Sequence, residues 1–482
     1  MYIKVCFIKF IFVLVRLHMG MNANTKFSLH NNLFCNRKAL FLISLLTIML
    51  MFSTPFSAMF NNVSPFALGA TYKVVNNEVE LVNAVNNTLE PITIAFNNDI
   101  KLTGSLVIST NKNITLTSSH NGEFFKLIGA SSTDTITVNE GGVLIIEGII
   151  VTHERDSSGR GVAVNSGGKL MMTSGKVSGN SDIMGGGVYV HYGTFVMSGG
   201  MITNNRAIVA SNQAESDQML GQHSGGNMQH SGGMSTNSAS GTGGGVYVGY
   251  DSSFSMSGGI IIDNEAALDG GGVYVDAAGS IGISGEGAIV NNNAARHGGG
   301  VYSNGGSFRI TGNAVITNNT AIHRGGGVNM NSGSFSMGGG LIANNTAGTG
   351  GGVYMSLGSL CLMHGGEISG NTAIGTMPIS GGGGVYNEGN FAISGGVITG
   401  NTAHNFGGGA YNNGDFKLSG EGEIYDNTAL KGNNVYHYDK YNVGGYIIPV
   451  VLAFLVICII GGLFLYFRKK GNKKKEACFS VN

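Results

Sequence analysis

The sequence lacks tryptophan and has only 5 prolines among its 482 residues, and charged side chains make up just 11% of it. So low a charged fraction is unlike a charge-driven disordered chain, and the whole composition is unlike that of an ordinary globular enzyme. What the sequence has in excess is glycine, with 81 residues. Collagen would need glycine at every third position and abundant proline, so a collagen helix is excluded. The glycines instead cluster in twos and threes, which favours a repeat architecture with glycine at its turns.

Cysteine is also scarce, because four of the 5 cysteines lie near the two ends of the chain and only Cys361 lies between them. A single cysteine cannot form a disulfide within the repeat region. That region must therefore be stabilised by stacking of its repeats. Cys361 itself is interpreted as a small, semi-apolar strand residue.

Charge is distributed unevenly along a chain whose formal net charge is +0. Residues 1–70 carry six basic and no acidic side chains, and residues 468–482 carry six basic and one acidic side chain. This leaves 15 basic and 26 acidic residues in 71–445, a net charge of about −11. A surface of this sign repels nucleic acid and anionic polymers, so no nucleic-acid partner is expected.

Residues 1–70 are predicted to be a signal or targeting region. Arg37 and Lys38 precede an apolar stretch, Ala39 to Phe52, and small residues such as Ala58 and Ala70 follow it. This is the layout of a secretory signal. An uncleaved signal anchor stays open as the alternative.

Residues 446–467 form an apolar run of 22 residues without a charge, preceded by a predicted linker over 438–445. As a helix this run would be about 33 Å long, enough to cross a hydrocarbon core of about 30 Å. The basic tail 468–482 follows it, and the positive-inside rule places such a tail in the cytoplasm. We therefore predict a C-terminal transmembrane α-helix with the lipid bilayer as its partner. The predicted localisation is a single-pass cell-membrane protein with an extracellular repeat domain and a cytoplasmic C-terminus.

The glycine clusters mark a repeat of about 26 residues, as in GGGVYVGYDSSFSMSGGIIIDNEA from Gly243. Each repeat holds three short apolar runs separated by Gly or Asn turns: V-Y-V, then F-x-M or F-x-I, then an isoleucine run. Alternation within each run places Val, Phe and Ile inside and the intervening residue outside. This pattern predicts an all-β fold, a parallel β-helix with three short strands per coil.

The third run ends in I-x-x-N-x-A, and its asparagine recurs in eight repeats. Stacked at a strand spacing of about 4.8 Å, these amides could form a hydrogen-bonded ladder, and a structural role is favoured over binding. Asparagine also tolerates left-handed backbone geometry. The predicted ladder comprises Asn205, Asn264, Asn292, Asn319, Asn345, Asn371, Asn401 and Asn427.

The repeats extend over 161–437 and contain an insertion, 208–242, that is rich in Ser, Gly, Gln and Asn and is expected to be a flexible loop. His223, Met228, His230 and Met234 in this insertion could bind a soft metal, but a duplicated flexible loop is the favoured interpretation, and no metal or cofactor is predicted. Residues 71–160 are predicted to form an N-terminal cap and the first coils, with an amphipathic cap helix over 78–86.

The GGGVY and I-x-x-N-x-A units resemble those of adhesin-like surface proteins with right-handed β-helices of the pectate-lyase type, including polymorphic outer membrane protein repeats. The resemblance implies right-handed coils over about residues 72–437. It also implies a surface role without catalysis, as a stalk or as an adhesin for a glycan, a cell or matrix. The alternative it leaves open is a polysaccharide lyase or glycoside hydrolase.

No catalytic residue is predicted, because the acidic side chains of the repeats are scattered and do not form the carboxylate pairs that such enzymes need. The densest polar cluster is His153 to Asp156, and catalysis there is not favoured. The candidate binding residues are instead tyrosines that follow the inward valine and should form an outward column able to stack on sugars. Mutual stacking that stiffens one face is the favoured alternative. The candidates are Tyr189, Tyr247, Tyr274, Tyr302, Tyr354, Tyr386, Tyr411 and Tyr436.

Overall fold

The computed structural model describes residues 71–120, 122, 124–209, 241–377 and 379–438. These residues form a right-handed parallel β-solenoid of about 12 turns, so the all-β, parallel β-helix prediction is confirmed. Its N-terminal strands are β1 (Thr71–Val75), β2 (Ile92–Phe96), β3 (Ile100–Lys101), β4 (Leu106–Ile108), β5 (Asn113–Ser118), β6 (Lys126–Gly129), β7 (Ile136–Val138), β8 (Val143–His153), β9 (Val162–Val164), β10 (Lys169–Ser178), β11 (Ser181–Asp182), β12 (Val188–Val190), β13 (Thr194–Met197), β14 (Met201–Thr203) and β15 (Arg206–Ala207).

The remaining strands lie on the C-terminal side of the insertion. They are β16 (Val246–Val248), β17 (Ser253–Met256), β18 (Ile260–Ile262), β19 (Glu265–Ala266), β20 (Val273–Val275), β21 (Ser280–Ile283), β22 (Ala288–Val290), β23 (Asn293–Ala294), β24 (Val301–Ile310), β25 (Val315–Thr317), β26 (Thr320–Arg324), β27 (Val328–Ala343), β28 (Thr346–Thr349), β29 (Val353–Met355), β30 (Leu360–Ser369), β31 (Thr372–Ala373), β32 (Val385–Asn387), β33 (Asn390–Thr399), β34 (Thr402–Phe406), β35 (Ala410–Asn412), β36 (Asp415–Leu418), β37 (Glu423–Tyr425), β38 (Thr428–Lys431) and β39 (Val435–His437).

Equivalent strands of successive coils pair in parallel, and the first column consists of the V-Y-V strands. It runs through β4, β7, β9, β12, β16, β20, β24, β27, β29, β32, β35 and β39. The register keeps like residues together, so that Val246 lies beside Val273 and Tyr247 beside Tyr274. Each repeat therefore adds one layer to the same set of side-chain stacks.

The second and third columns carry the phenylalanine and isoleucine runs, which some coils join into one longer strand. The second column is β1, β2, β5, β8, β10, β13, β17, β21, β24, β27, β30, β33 and β36. The third is β3, β6, β8, β10, β14, β18, β22, β25, β27, β30, β33 and β37.

A fourth short strand follows the asparagine in each later coil, beyond the three that the repeat pattern predicts. These strands form a separate nine-stranded sheet of β11, β15, β19, β23, β26, β28, β31, β34 and β38. The alanine of I-x-x-N-x-A is its inward residue, and Ala266 and Ala294 are both 0% exposed. The described coils thus enclose one continuous apolar core of Val, Phe, Met and Ile side chains, which the small alanines complete.

The described residues contain a single helix, α1 (Glu78–Asn87), at the N-terminal end of the solenoid. Asn77 caps it, because its Oδ1 accepts a hydrogen bond from the backbone N of Glu80 at 3.0 Å. Its apolar face, which includes Leu81 and Val85, is buried against the first coils. The helix covers apolar side chains that the first coil would otherwise expose.

The membrane part of the sequence-based prediction is wrong for the residues that the structure describes. A helix of ten residues is about 15 Å long, half of what a bilayer core requires. None of the described helical structure is both long and apolar enough to span a membrane. The transmembrane helix in the predicted fold class and the single-pass localisation are corrected accordingly. The predicted segment 446–467 itself, like residues 1–70, lies outside the described residues.

Candidate functional site

The predicted asparagines lie in one buried ladder, along the corner of the coils that follows the third strand column. Asn319 shows the repeating geometry: its Nδ2 donates to Ile289 O and to Asn345 Oδ1, both at 3.0 Å. Its Oδ1 accepts from Asn292, at 2.9 Å from the backbone N and 3.0 Å from Nδ2. The same links join Asn180, Asn205, Asn264, Asn292, Asn319, Asn345, Asn371, Asn401 and Asn427. Every amide in the ladder's interior has its donors and acceptor occupied by the protein.

Left-handed backbone geometry occurs one residue before each ladder asparagine, not at the asparagine itself. Asn318 has φ 57 and Asp263 has φ 57, whereas Gly370 serves at the same place with φ 64. The ladder asparagine instead has its backbone N engaged by the next amide in the stack. The tolerance of asparagine for left-handed geometry is therefore used at the preceding position, as in Asn318, and not in the ladder.

The two ends of the ladder are closed by different side chains. At the N-terminal end the Oδ1 of Asn180 faces Nδ1 of His153 at 2.9 Å, and the other ring nitrogen of His153 contacts Thr133 O at 2.9 Å. At the C-terminal end Asn427 donates from its backbone N and Nδ2 to Asn434 Oδ1, both at 3.3 Å. His153 is thus occupied as a cap of the ladder, and its side chain is 5% exposed.

The predicted tyrosine column exists, but it is not the exposed surface that we expected. The rings stack in two groups, Tyr189 to Tyr302 and Tyr354 to Tyr436, with neighbouring centroids between 4.5 and 5.4 Å apart. They lie outside the main core cluster, yet six of the eight are only 1% to 7% exposed. The alternating pattern correctly predicted that these side chains point away from the valine side of the strand. It could not predict which side chains cover them.

The cover comes from side chains in the turns that precede the glycines. The Arg160 guanidinium lies 4.2 Å from the centroid of the Tyr189 ring, and that of Arg324 lies 4.8 Å from the Tyr354 ring. Phe406 packs at 4.7 Å from Tyr436, and Met184 packs against the first group. These contacts enclose the rings between the first strand column and the adjoining turns.

Burial changes the chemistry of the tyrosine hydroxyls. It raises the pKa of Tyr411 to about 12, and it raises the pKa of Tyr354 further. Some hydroxyls donate to carboxylates at the edge of the column, as Tyr247 does to Asp276 Oδ2 at 3.1 Å and Tyr354 to Glu388 Oε2 at 2.7 Å. The column is therefore a neutral structural stack, and little of it is accessible for stacking on a sugar.

Asn329 separates the two tyrosine groups, and a polar cluster lies beside Tyr302, the last tyrosine of the first group, whose ring is 6.4 Å from that of His297. Asp269 is 2% exposed, and it accepts hydrogen bonds from the side chain of Arg296 and from the backbone N of His297. Burial raises the pKa of the Asp269 carboxyl, and the bonds from Arg296 oppose that rise. Burial also lowers the pKa of His297 to about 2, and its Nδ1 has no hydrogen-bond partner among the described residues.

The polar segment after β8 borders a groove with a volume of about 620 Å3. His153, Glu154, Arg155 and Asp156 line it together with Arg206. Glu154 is paired with Lys101 at 2.7 Å, and His153 caps the ladder, so two of these groups already have structural partners.

Among the described residues, no group of three His, Cys, Asp or Glu side chains lies close enough together to hold a metal ion. His223, Met228, His230 and Met234 lie outside the described residues.

One aromatic group that the sequence analysis missed is exposed. Tyr192 and Tyr250 are 39% and 47% exposed, and their ring centroids are 5.8 Å apart. His191 packs edge-on against Tyr192 at 4.5 Å. The signal was present in the sequence, because V-H-Y-G and V-G-Y-D carry aromatic residues in the turn after the first strand, where most other repeats have none. The repeat pattern is defined by its three strand runs and does not include this turn.

No family model, no curated protein and no solved structure matches this chain. The resemblance to adhesin-like and pectate-lyase-type proteins therefore depends on the repeat motifs alone, and what the structure establishes is the coarser class: the chain is a parallel β-helix repeat protein.

Proposed function

We propose that this chain is a non-catalytic, adhesin-like β-solenoid, a stiff scaffold that binds a glycan, cell or matrix ligand through side chains on its outer surface. One observation carries the proposal: the asparagine ladder and the tyrosine column, the two most regular side-chain features outside the apolar core, are largely buried, with the amides bonded to one another and the rings stacked on one another. Their regularity serves the stacking of coils. Recognition is then left to exposed residues that depart from the repeat.

A scaffold role agrees with the energetics of a solenoid. Each coil buries its core residues only against its neighbours, so the stability of the array increases with each added coil. A ladder of buried, mutually polarised amides makes slippage of one coil against the next costly, because every slip leaves buried donors without acceptors. Such a scaffold holds surface side chains at fixed spacing along its axis.

The test is a binding assay with the purified full chain on an array of immobilised glycans and on cells. Saturable binding without chemical change of the ligand is the expected result. The competing enzyme function predicts turnover of an acidic polysaccharide that is lost in Glu154→Gln or Asp156→Asn, the carboxylates lining the groove. Turnover abolished by either substitution would overturn the proposal.

A further inference from the structure

The turn after the first strand differs between coils, and two neighbouring coils place exposed tyrosines there. Strands β12 and β16 pair with Val190 beside Val248, which brings the turns that follow them into contact. Tyr192 donates from its backbone N to Tyr250 O at 3.4 Å, and the two rings lie at an angle of 59°. The rings thus form a shallow, open pair of aromatic faces on the outside of the solenoid.

Tyr192 occupies a backbone position that tyrosine disfavours. Its φ is 53, in the left-handed region, where the equivalent turn of the preceding coil has Gly167 with φ 69 and those of the next two coils have Asp251 with φ 50 and Ala278 with φ 56. Left-handed geometry costs a residue with a Cβ about 1–2 kcal/mol, and such outliers concentrate at functional sites. Glycine or a short side chain meets the needs of this turn in the neighbouring coils, so the fold alone does not explain a bulky tyrosine there.

We propose that His191, Tyr192 and Tyr250 form a carbohydrate-binding site that stacks an uncharged pyranose ring against the tyrosine faces. This inference depends on the proposed glycan-binding function and assigns it a place. The apolar C–H face of a pyranose packs on an aromatic ring, while phenol hydroxyls and the imidazole exchange hydrogen bonds with the sugar hydroxyls. Tyrosine supplies both kinds of contact in one side chain.

Charge around the site selects the class of sugar. Asp251 is exposed beside Tyr250, and Asp276 lies in the equivalent turn of the next coil. Asp251 can accept hydrogen bonds from sugar hydroxyls, whereas Asp276 already accepts from Tyr247 and from the backbone N of Ala277. Both carboxylates repel uronates and sulfated sugars. The net charge of about −11 over residues 71–445 adds to that repulsion. The ligand is therefore an uncharged oligosaccharide.

The test uses the full chain, with cellotetraose and chitotetraose (an N-acetylglucosamine tetramer) as uncharged probes and tetragalacturonate as the acidic probe. We expect at least one uncharged probe to bind and tetragalacturonate not to bind. Tyr192→Gly should weaken binding by about tenfold, equivalent to about 1.4 kcal/mol, and Tyr250→Ser by a similar factor. Because glycine relieves the left-handed strain, Tyr192→Gly should not lower the denaturation midpoint, which separates lost binding from lost folding.

Tyr425 provides the matched control, because it is 42% exposed on another column of the solenoid. Tyr425→Ser should leave the affinity within about twofold of the parent chain. If the parent chain binds a probe and Tyr192→Gly and Tyr250→Ser bind it equally well, the site is wrong although the glycan-binding function stands. If the full chain binds no glycan on any array, the site fails, and if it binds no cells either, the proposed function fails with it. Tetragalacturonate binding as tight as that of the uncharged probes would overturn the assignment of ligand class.

Discussion

The side-chain Oδ1 of Asn264 accepts two hydrogen bonds from Asn205, one from its backbone N and one from its Nδ2, each at 3.0 Å. Nδ2 of Asn205 also donates to Val177 O at 2.9 Å, so each amide ties three coils together. All the amides point the same way along the solenoid, and each bond polarises the next. The coils are therefore coupled by a directional chain of buried bonds in addition to their apolar core.

Removing one amide from the middle of this chain should affect its neighbours on both sides. In Asn319→Ala the backbone N and Nδ2 of Asn292 lose their acceptor, and Ile289 O loses a donor. Each buried group left without a partner costs about 1–3 kcal/mol. We expect the free energy of unfolding to fall by about 2–4 kcal/mol, measured by denaturant titration of the full chain.

The adjacent residue gives a matched control for that experiment. Asn318 has φ 57, and glycine occupies this left-handed position in other coils, as Gly370 does with φ 64. Asn318→Gly should therefore leave stability unchanged or slightly raised. A loss in Asn319→Ala no larger than that in Asn318→Gly would show that the ladder does not couple the coils.

The third glycine of the GGG motif should be irreplaceable because neighbouring coils approach closely there. A Cβ on Gly300 would lie 2.6 Å from Gly327 O in the next coil and 3.0 Å from Ile316 Cγ2 in its own coil. Gly300→Ala should reduce stability by about 1–3 kcal/mol through this overpacking. Gly282 has open space around its Cβ position, so Gly282→Ala should change stability by no more than about 0.5 kcal/mol. Equal midpoints for the two variants in thermal unfolding would contradict this account.

The sequence predicted the parts of the fold that repeat with a fixed period and missed those set by contacts between different turns. Period and alternation placed Val246, Phe254 and Ile261 in the core, where all are buried. The fourth strand is only two residues long in coils such as that of Glu265–Ala266, too short for an alternating pattern to show.

Contacts between turns explain the errors at the candidate sites. Alternation shows which way a tyrosine points from its strand, but the covering of Tyr354 by Arg324 depends on a neighbouring turn that the pattern does not place. The pattern did not predict a role for Tyr192 and Tyr250, because these residues lie in turns outside the repeating strand runs. Only the three-dimensional structure shows that their ring centroids lie 5.8 Å apart.

Acid should destabilise the solenoid partly through His297. Burial lowers its folded-state pKa to about 2, with Arg296, Arg324 and His323 adding to the effect, whereas its ordinary value is 6.5. Between these values the unfolded chain binds a proton that the folded chain does not. The free energy of unfolding should therefore fall as the pH drops below about 6.5, by at most about 1.4 kcal/mol per pH unit from this group.

His297→Gln replaces the imidazole that binds this proton with a neutral side chain that does not titrate. Other groups titrate in both chains, so the informative quantity is the difference between the stability curves of the parent and the variant. We expect the variant to lose less stability between about pH 7 and pH 4, as measured by denaturant titration at each pH. Parallel curves would indicate that His297 is protonated in the folded chain as readily as in the unfolded one.

Cys361 should resist thiol reagents until its coil unfolds. It takes a place in the phenylalanine column, paired between Phe335 and Phe391, and is 1% exposed. Burial raises the pKa of its thiol, so at about pH 8 both the thiolate and access to it are scarce. Iodoacetamide labelling followed by mass spectrometry of the Cys361 peptide should show slow modification in native buffer and rapid modification in denaturant. The denaturant dependence of this labelling then reports local opening of the central coils, and equally rapid modification in native buffer would contradict the buried position.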